Sequence, residues 1–405
     1  MKILMFNAEV VNDLGGPSIV AAFCDITRAN SNGDDVVIDL LTSKASDKTE
    51  KYLEKLQVGC FKYGNLFSKK NIFKVFRHIK NINKQTTPPI DDFVYENLKK
   101  LSTYDCLVDM GGICFTDNIP QRNLVRTVYE KMSWIVAKKL GLKVILYTTS
   151  IGPIRTLKTK WGSKFLMERY CDYIMFRERE CEKIYNKLKI STPYIVCPDT
   201  AFCFKEEKPT DANWEKFSQN TKKIGISLSF QLMRQTEGYF DVMLEVCHYL
   251  VDNKYNIVLI ANECSGFEES DDRYVVNMMK EQLNSPLVYV VNTVDMSGEN
   301  LKWIISKCDV VIASRYHTLI AAISTNVPSV ALSWHFKYKE ALNHVGLGEN
   351  IVENTDFTAE SIIEKFNATY EHRYELKESM REKVERTKKS VIDANAEFCK
   401  QIYGN

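Results

Sequence analysis

The feature that most constrains the fold is a regular alternation between short apolar segments and longer helical segments along almost the whole chain. Short apolar runs are typical of strands buried on both faces of a parallel sheet, and helical patterns of roughly 10–20 residues between them indicate βαβ units. We therefore predict an α/β protein with mostly parallel sheets. The predicted strands are Lys2–Phe6, Val36–Leu41, Cys106–Asp109, Val144–Thr148, Tyr173–Phe176, Tyr194–Val196, Ile224–Leu228, Ile257–Ile260, Leu287–Val291, Val310–Ala313 and Ser329–Leu332.

A polar break divides these strands into two groups. Residues 205–212 carry charges and a proline without apolar periodicity, and 405 residues exceed what one core usually holds. We predict two Rossmann-like domains, 1–205 and 213–357, facing each other across a cleft. A helical segment, 358–405, could cross back to brace the first domain.

The composition narrows the functional class. A net charge of +2 gives no global signal for nucleic acid. The 12 cysteines are scattered without a Cys-x-x-Cys pair, which argues against a disulfide framework or a zinc site and favours reduced thiols. No apolar run approaches the length of a membrane span, and the first residues lack the pattern of a signal peptide. A cytoplasmic protein is the expectation.

A basic stretch between residues 60 and 85 interrupts the alternation, because it contains no acidic residue. Ile72, Phe73, Phe76 and Ile79 recur there at helical spacing. Two interpretations stay open: a surface helix whose apolar stripe packs on the domain, or a basic amphipathic helix on the inner face of a membrane. The basic residues are Lys62, Lys69, Lys70, Lys74, Arg77, Lys80 and Lys84.

Two polar clusters follow neighbouring apolar strands in the second half of the chain. Ser314, Arg315 and His317 come directly after Val310–Ala313, and Lys337 follows Ser329–Leu332. Ligands of open α/β sheets bind at the carboxyl ends of the strands. An arginine, a lysine and a histidine gathered there indicate an anionic substrate and a proton donor.

Weaker candidates follow strands in the first half. Asp109 with Gly111 and Gly112 forms a turn whose backbone could approach an anion, although most such turns are purely structural. Arg177 could enter a cleft or form a structural salt bridge. Asp199 could orient a catalytic group or cap a turn.

Taken together, these residues resemble the polysaccharide pyruvyl transferase family over approximately residues 1–355. The Ser-Arg-x-His element with its downstream lysine is the most specific part of the resemblance. The pieces, in order, are Asp109 to Gly112, Ser150 to Pro153, Arg177-Glu178, Pro198 to Phe202, Ser314 to His317, Lys337 and Leu347-Gly348.

The resemblance implies a fold like that of two-domain GT-B glycosyltransferases, and transfer of an enolpyruvyl-derived unit from phosphoenolpyruvate to a saccharide during exopolysaccharide or capsule synthesis. It implies His317 as general acid, with Arg315, Lys337 and Arg177 as ligands of phosphoenolpyruvate. Ser314, Gly111 and Gly112 would contact substrate, and Asp109 and Asp199 would orient groups or face the acceptor. The acceptor would be a saccharide or lipid-linked oligosaccharide, and no metal or cofactor is implied.

The chain departs from the family pattern at residues 12–16 and at Trp334, His335 and Phe336, just before Lys337. The acceptor or the transfer reaction could therefore differ. The alternative is a nucleotide-sugar glycosyltransferase of the same architecture, although Glu340 and Glu349 are nine apart where such enzymes often have a pair eight apart. A third hypothesis is a binding protein that kept the fold without catalysis.

Overall fold

The computed structural model describes residues 1–10, 15–31, 35–84, 92–117, 129–219, 221–266, 270–291, 293 and 296–403. Of the segments discussed above, residues 12–14 and Gln85 lie outside the described residues. Two compact units divide the chain. The N-terminal unit comprises Met1–Ala8, Phe23–Cys197 and Asp393–Asn405, and the C-terminal unit comprises Glu9–Ala22 and Pro198–Ile392.

The N-terminal unit is built on a parallel sheet of eight strands among the described residues, in the order β3-β2-β1-β4-β6-β7-β8, with β5 paired to β6. All four residues of the central strand β4 are buried, because helices cover both faces of a parallel sheet. The strands are β1 Lys2–Phe6, β2 Val37–Thr42, β3 Gly59–Lys62, β4 Cys106–Asp109, β5 Ile113–Cys114, β6 Lys143–Ile151, β7 Tyr173–Phe176 and β8 Tyr194–Val196.

Helices lie between successive strands that pair with each other, as parallel pairing requires. Both α3 and α6 pack against α5, which itself packs against β4 and β6. The helix α1 begins in the C-terminal unit and ends in the N-terminal unit. The helices are α1 Gly16–Ala29, α2 Asp47–Lys55, α3 Ile72–Asn83, α4 Phe93–Leu101, α5 Met132–Lys139, α6 Leu157–Tyr170 and α7 Arg179–Leu188.

The C-terminal unit contains a second parallel sheet, of six strands among the described residues, in the order β11-β10-β9-β12-β13-β14. Its central strands β9 and β12 are neighbours, so their carboxyl ends open at the same edge. The strands are β9 Lys223–Ser227, β10 Asn256–Ile260, β11 Val288–Val290, β12 Val310–Ala313, β13 Ser329–Ser333 and β14 Ile351–Glu353.

Nine further α-helices of the described chain follow α7, and several begin at a side-chain cap. Ser297 and Thr358, for example, each form a capping box at the start of a helix. The helices are α8 Ala212–Phe217, α9 Phe230–Gln235, α10 Tyr239–Asp252, α11 Asp272–Leu283, α12 Gly298–Ile305, α13 Tyr316–Ile323, α14 Lys337–Val345, α15 Ala359–Glu371 and α16 Arg373–Tyr403, with 3-10 helices at Thr200–Cys203 and Asn354–Asp356.

The last helix, α16, is 31 residues long, and its end belongs to the N-terminal unit. Within that unit, Asn395 Oδ1 accepts a hydrogen bond of 2.6 Å from the Tyr147 hydroxyl. Phe398 packs edge-on against Tyr147 with ring centroids 5.4 Å apart. These contacts anchor the carboxyl end of the chain against β6.

The predicted α/β architecture of two units with parallel sheets is confirmed, and each of the eleven predicted strands has a counterpart. Three strands of the described residues were missed: β3, β5 and β14. Both β3 and β14 lie at a sheet edge, where alternate residues face solvent and shorten the apolar run, and β5 has two residues. Among the described residues no cysteines are joined by a disulfide. None of the described helices combines the length and the apolar character that a bilayer crossing requires.

Candidate active site

Arg315 lies at the carboxyl end of β12, immediately before α13, and its guanidinium is paired with two carboxylates. Its Nε and Nη2 atoms donate to Asp272 at 2.8 and 2.5 Å, and Nη1 lies 3.0 Å from Glu263 Oε2. Burial alone would lower the pKa of Arg315, but the Asp272 carboxylate beside it raises that pKa above its usual value. The predicted binding of phosphoenolpyruvate by Arg315 therefore has to accommodate carboxylates already present.

The two carboxylates differ in accessibility. Asp272 is fully buried and also accepts backbone N–H bonds from Phe230 and Glu263, both at 2.9 Å. The Glu263 side chain is 35% exposed. An incoming anion could therefore take the place of Glu263 at Nη1 while Asp272 continues to hold the guanidinium.

His317 is in the first turn of α13, and its imidazole lies against Gly15 within the C-terminal unit. A Cβ atom at position 15 would collide with Nδ1, Cγ and Cβ of His317, so only glycine allows this approach. The ring also packs edge-on against Tyr316, with centroids 5.6 Å apart. A recess of about 20 Å³, lined in part by Gly15, Asn262 and Thr318, adjoins the histidine.

Lys337 begins α14 and is 8% exposed, with its ammonium surrounded by aromatic rings. Its Nζ lies 4.8 Å from the ring centroid of Tyr316, 5.0 Å from that of Trp334 and 5.7 Å from that of Tyr338. Such rings attract a cation through their electron-rich faces. Trp334, which departs from the family pattern, therefore forms part of the cage that orients Lys337.

The structure thus brings Arg315, His317 and Lys337 to one edge of the C-terminal sheet. His317 and Lys337 both contact Tyr316. Ser314, which we expected to touch substrate, is fully buried. Its Oγ is 2.7 Å from the Tyr239 hydroxyl, and its carbonyl oxygen accepts a hydrogen bond of 2.9 Å from the Tyr338 hydroxyl. The bond from Tyr338 means that Ser314 helps to fix one of the rings around Lys337. Contact of Ser314 with substrate stays a prediction.

Asp199 belongs to the C-terminal unit and caps the 3-10 helix Thr200–Cys203. Its Oδ1 accepts a hydrogen bond of 2.9 Å from the Ala201 amide. That helix packs against α13, which carries His317. The capping role, one of the two alternatives from the sequence, is therefore present.

Asp109 organises a buried cluster in the N-terminal unit. Its Oδ2 accepts from Lys131 Nζ at 2.6 Å and from Trp134 Nε1 at 2.7 Å, and its Oδ1 accepts from Asn7 and from the Gly111 amide. Burial would lower the pKa of Lys131, but the Asp109 carboxylate raises it. Asp109 thus accepts hydrogen bonds from four donors and has no exposed surface, and its role as an orienting or acceptor-side group stays a prediction.

A cavity of about 560 Å³ opens beside this cluster. It lies where β1, β2, β3 and β4 end, at the edge where α/β sheets bind ligands. Aromatic rings, amides and hydroxyls line it together, with Lys131 in its wall. Its lining includes Asn7, Ser43, Tyr63, Asn65, Phe67, Gly111, Tyr129, Lys131 and Ser133.

Arg177 also lies in the N-terminal unit, but within a closed network. It is 4% exposed; Nε lies 3.0 Å from Glu178 Oε1, and Nη2 donates to the Gly112 carbonyl at 2.9 Å and to Ser150 Oγ at 2.8 Å. This arrangement matches the structural salt bridge that was one alternative from the sequence. Binding of substrate by Arg177 or Gly112 stays a prediction.

Sequence reasoning missed the partners Asp272, Glu263 and Lys131. Asp272 and Glu263 pair with Arg315 from 43 and 52 residues away in the sequence, and Lys131 pairs with Asp109 from 22 residues away. No local sequence pattern indicates these pairs. The only signal was Asp271-Asp272 directly before a helical segment, which is typical of a helix start. Among the described residues, no group of three or more His, Cys, Asp or Glu side chains could hold a metal ion.

Comparison with known proteins supports one family. A model of the family described as polysaccharide pyruvyl transferase matches residues 27–335, which include Arg315 and His317 and end just before Lys337. The amylovoran biosynthesis protein AmsJ of Erwinia amylovora is 21% identical over 328 residues, covering 77% of each chain.

Solved structures support the fold. HepE from Anabaena, crystallised with UDP-glucose, has a TM-score of 0.60 at 11% identity, with both chains covered completely. UDP-GlcNAc 2-epimerase from Neisseria meningitidis, bound to UDP-GlcNAc, has a TM-score of 0.59 at 13% identity, also over both complete chains. These similarities show a GT-B-like architecture.

Proposed function

Since the chain belongs to the polysaccharide pyruvyl transferase family, we propose that it transfers the enolpyruvyl-derived unit of phosphoenolpyruvate to a saccharide, forming a pyruvate ketal in surface-polysaccharide synthesis. The observation that carries the proposal is the common contact of His317 and Lys337 with Tyr316, at the sheet edge that also bears Arg315. A proton donor and two cations are the groups that this donor requires.

His317 is the proposed general acid. Protonation of the methylene carbon of phosphoenolpyruvate makes the adjacent carbon electrophilic, and a saccharide hydroxyl attacks it. Loss of phosphate and attack by a second hydroxyl complete the ketal. Of the two protons that the hydroxyls release, one leaves with phosphate and one returns to His317, so that the products are the ketal and inorganic phosphate. Imidazole suits this step, because its ordinary pKa lies near neutrality.

Lys337 and Arg315 are the proposed ligands of the donor. The aromatic cage fixes the Lys337 ammonium as a point charge for phosphate or carboxylate. Arg315 can offer Nη1 to the second anionic group if that group replaces the accessible Glu263. Asp272 would keep the guanidinium in place during the exchange.

The cavity of the N-terminal unit is the proposed acceptor site. Saccharides combine apolar ring faces with many hydroxyls, and the cavity offers Tyr63 and Phe67 beside Asn7 and Asn65. We expect Tyr63→Ala to raise KM for the saccharide on the order of tenfold through lost ring contact, and to leave KM for phosphoenolpyruvate unchanged. An equal rise in both constants would contradict this assignment.

Thermal unfolding with added donors tests the proposal. We expect phosphoenolpyruvate to raise Tm in the wild type and to have a much smaller effect on Lys337→Met, since only a bound ligand stabilises the folded state. UDP-glucose and UDP-GlcNAc should leave Tm unchanged. Stabilisation by a nucleotide sugar without any effect of phosphoenolpyruvate would instead support a glycosyltransferase, and no shift with either donor would support a protein that lacks this activity.

A further inference from the structure

Exposed apolar side chains concentrate on two helices of the N-terminal unit, α3 and α6. Eleven large apolar or aromatic side chains are exposed among the described residues, and five of them lie on these two helices. On α3 they are Phe73, which is 86% exposed, and Phe76. On α6 they are Leu157, Trp161, which is 74% exposed, and Phe165.

The helix α3 has two distinct apolar faces. Val75, His78 and Ile79 are buried against the unit. Phe73 and Phe76 point away from that face, although the sequence pattern grouped them in one stripe with Ile79. The two interpretations left open by the sequence therefore apply to different sides of the same helix, and the packed side accounts for only part of its apolar surface.

The apolar residues of α6 follow a helical spacing of four, at positions 157, 161 and 165, so they form one stripe along its outer side. The opposite side buries Gly162, Leu166 and Met167. Both α3 and α6 pack against α5, so the two sets of exposed residues lie on helices that share one neighbour.

Basic side chains lie beside these apolar residues, and the exposed Glu168 of α6 is paired with Lys164. Arg77 and Lys80 are exposed on α3 beside Phe73 and Phe76, and Lys139 lies 5.9 Å from the Phe76 ring. Arg155 and Lys158 are exposed at the start of α6. The helix α3 contains no acidic residue, so the charge along it has one sign.

We propose that the outer faces of α3 and α6 dock the protein on a bilayer that contains anionic phospholipids. Phenylalanine, tryptophan and leucine side chains would enter the boundary between headgroups and acyl chains, and the basic residues would contact headgroup phosphates. Long lysine and arginine side chains can keep their charges at that level while their methylene groups cover apolar surface. This docking surface is independent of the proposed reaction.

Co-sedimentation with extruded vesicles tests the docking surface. The full-length protein should pellet with phosphatidylcholine vesicles that contain phosphatidylglycerol, and far less with phosphatidylcholine alone. High salt should weaken the binding, since it screens the basic residues. Equal binding to both vesicle types, or none to the anionic vesicles, would overturn the proposal.

Two pairs of variants locate the surface. Phe73→Ser with Trp161→Ser, and separately Arg77→Gln with Lys80→Gln, should each lower vesicle affinity on the order of tenfold. The matched controls are Tyr374→Ser, also highly exposed, and Arg381→Gln with Arg386→Gln, all on α16. Controls that lose as much affinity as the test variants would place the surface elsewhere.

Sedimentation velocity without lipid tests whether the same face instead joins two copies of the protein. A wild-type dimer that dissociates in Phe73→Ser with Trp161→Ser, together with no vesicle binding, would make this face a contact between protein copies and would refute membrane docking. Tryptophan emission that shifts to shorter wavelength when anionic vesicles are added would support docking of α6 itself, provided that the shift is absent from Trp161→Phe.

Discussion

Arg177 in the N-terminal unit and Arg315 in the C-terminal unit each lie just after a fully buried strand, but their surroundings differ. Arg177 is 4% exposed, and its carboxylate partner Glu178 is 1% exposed. Arg315 is held by the buried Asp272 and also by Glu263, which is 35% exposed. An arginine after a buried strand therefore does not by itself indicate either a structural salt bridge or a substrate ligand. In the N-terminal unit both the arginine and its carboxylate partner are buried, whereas in the C-terminal unit one of the two partners is partly exposed.

The largest expected effect tests whether the chemistry lies in the C-terminal unit. His317→Ala should lower kcat by at least about a hundredfold, because general acid catalysis contributes roughly that much or more. Product formation from phosphoenolpyruvate and saccharide is the measurement. The exposed His248→Ala serves as the control and should retain activity. Equal rates for His317→Ala and wild type, with folding intact by circular dichroism, would remove His317 from the mechanism.

Removing a charge from the closed bridge should cost stability. Glu178→Gln leaves the Arg177 charge buried beside a neutral amide, so we expect the free energy of unfolding to fall by about 3–5 kcal/mol. Urea unfolding measures it. A loss below about 1 kcal/mol would mean that the bridge resembles an exposed ion pair, and the contrast with Glu263 would disappear.

Lys302 is a buried lysine of the C-terminal unit whose amino group contacts carbonyl oxygens, with Nζ 2.6 Å from the Phe204 oxygen. Burial, assisted by Lys388, lowers its pKa to about 7. Between pH 7 and the ordinary lysine pKa of about 10.4, the unfolded chain binds more protons, so Lys302 makes stability rise with pH across that window.

We expect Lys302→Met to remove a slope of up to about 1.4 kcal/mol per pH unit from the free energy of unfolding. Urea unfolding at pH 7 and pH 9 provides the comparison. Lys307→Met, at an exposed position nearby, is the control and should keep the slope. A slope that Lys302→Met leaves intact would contradict the assignment of the pH dependence to this residue.

The cage around Lys337 should influence binding of the donor more than the rate of reaction. Trp334→Leu removes one aromatic face from the ammonium while keeping an apolar side chain, and should raise KM for phosphoenolpyruvate on the order of tenfold at similar kcat. Initial-rate kinetics separate the two constants. A fall in kcat alone would mean that Trp334 acts on the transition state.

The smallest effect concerns Glu263. Because this side chain is partly exposed, Glu263→Gln should change the free energy of unfolding by less than about 1 kcal/mol. Its loss of charge should lower KM for phosphoenolpyruvate, since the donor no longer competes with a carboxylate at Arg315. A rise in KM would show that Glu263 helps to bind substrate.

The strand pattern was readable because strands such as β4 and β12 are buried along their whole length. The edge strand β3 could not be predicted from the pattern, because only Phe61 of its four residues is fully buried. Strand ends likewise predicted that Arg315 and Lys337 would gather at one edge. Their partners depend on segments that meet only in the folded chain, as Asp272 meets Arg315 from another helix.

Analysis of the saccharide product tests the central claim most directly. The protein should be incubated with phosphoenolpyruvate and a panel of free and lipid-linked oligosaccharides, followed by mass spectrometry and a phosphate assay. We expect one acceptor to gain a pyruvate ketal with equimolar release of inorganic phosphate. Transfer of a sugar from a nucleotide donor, with phosphoenolpyruvate unconsumed across the panel, would contradict the account.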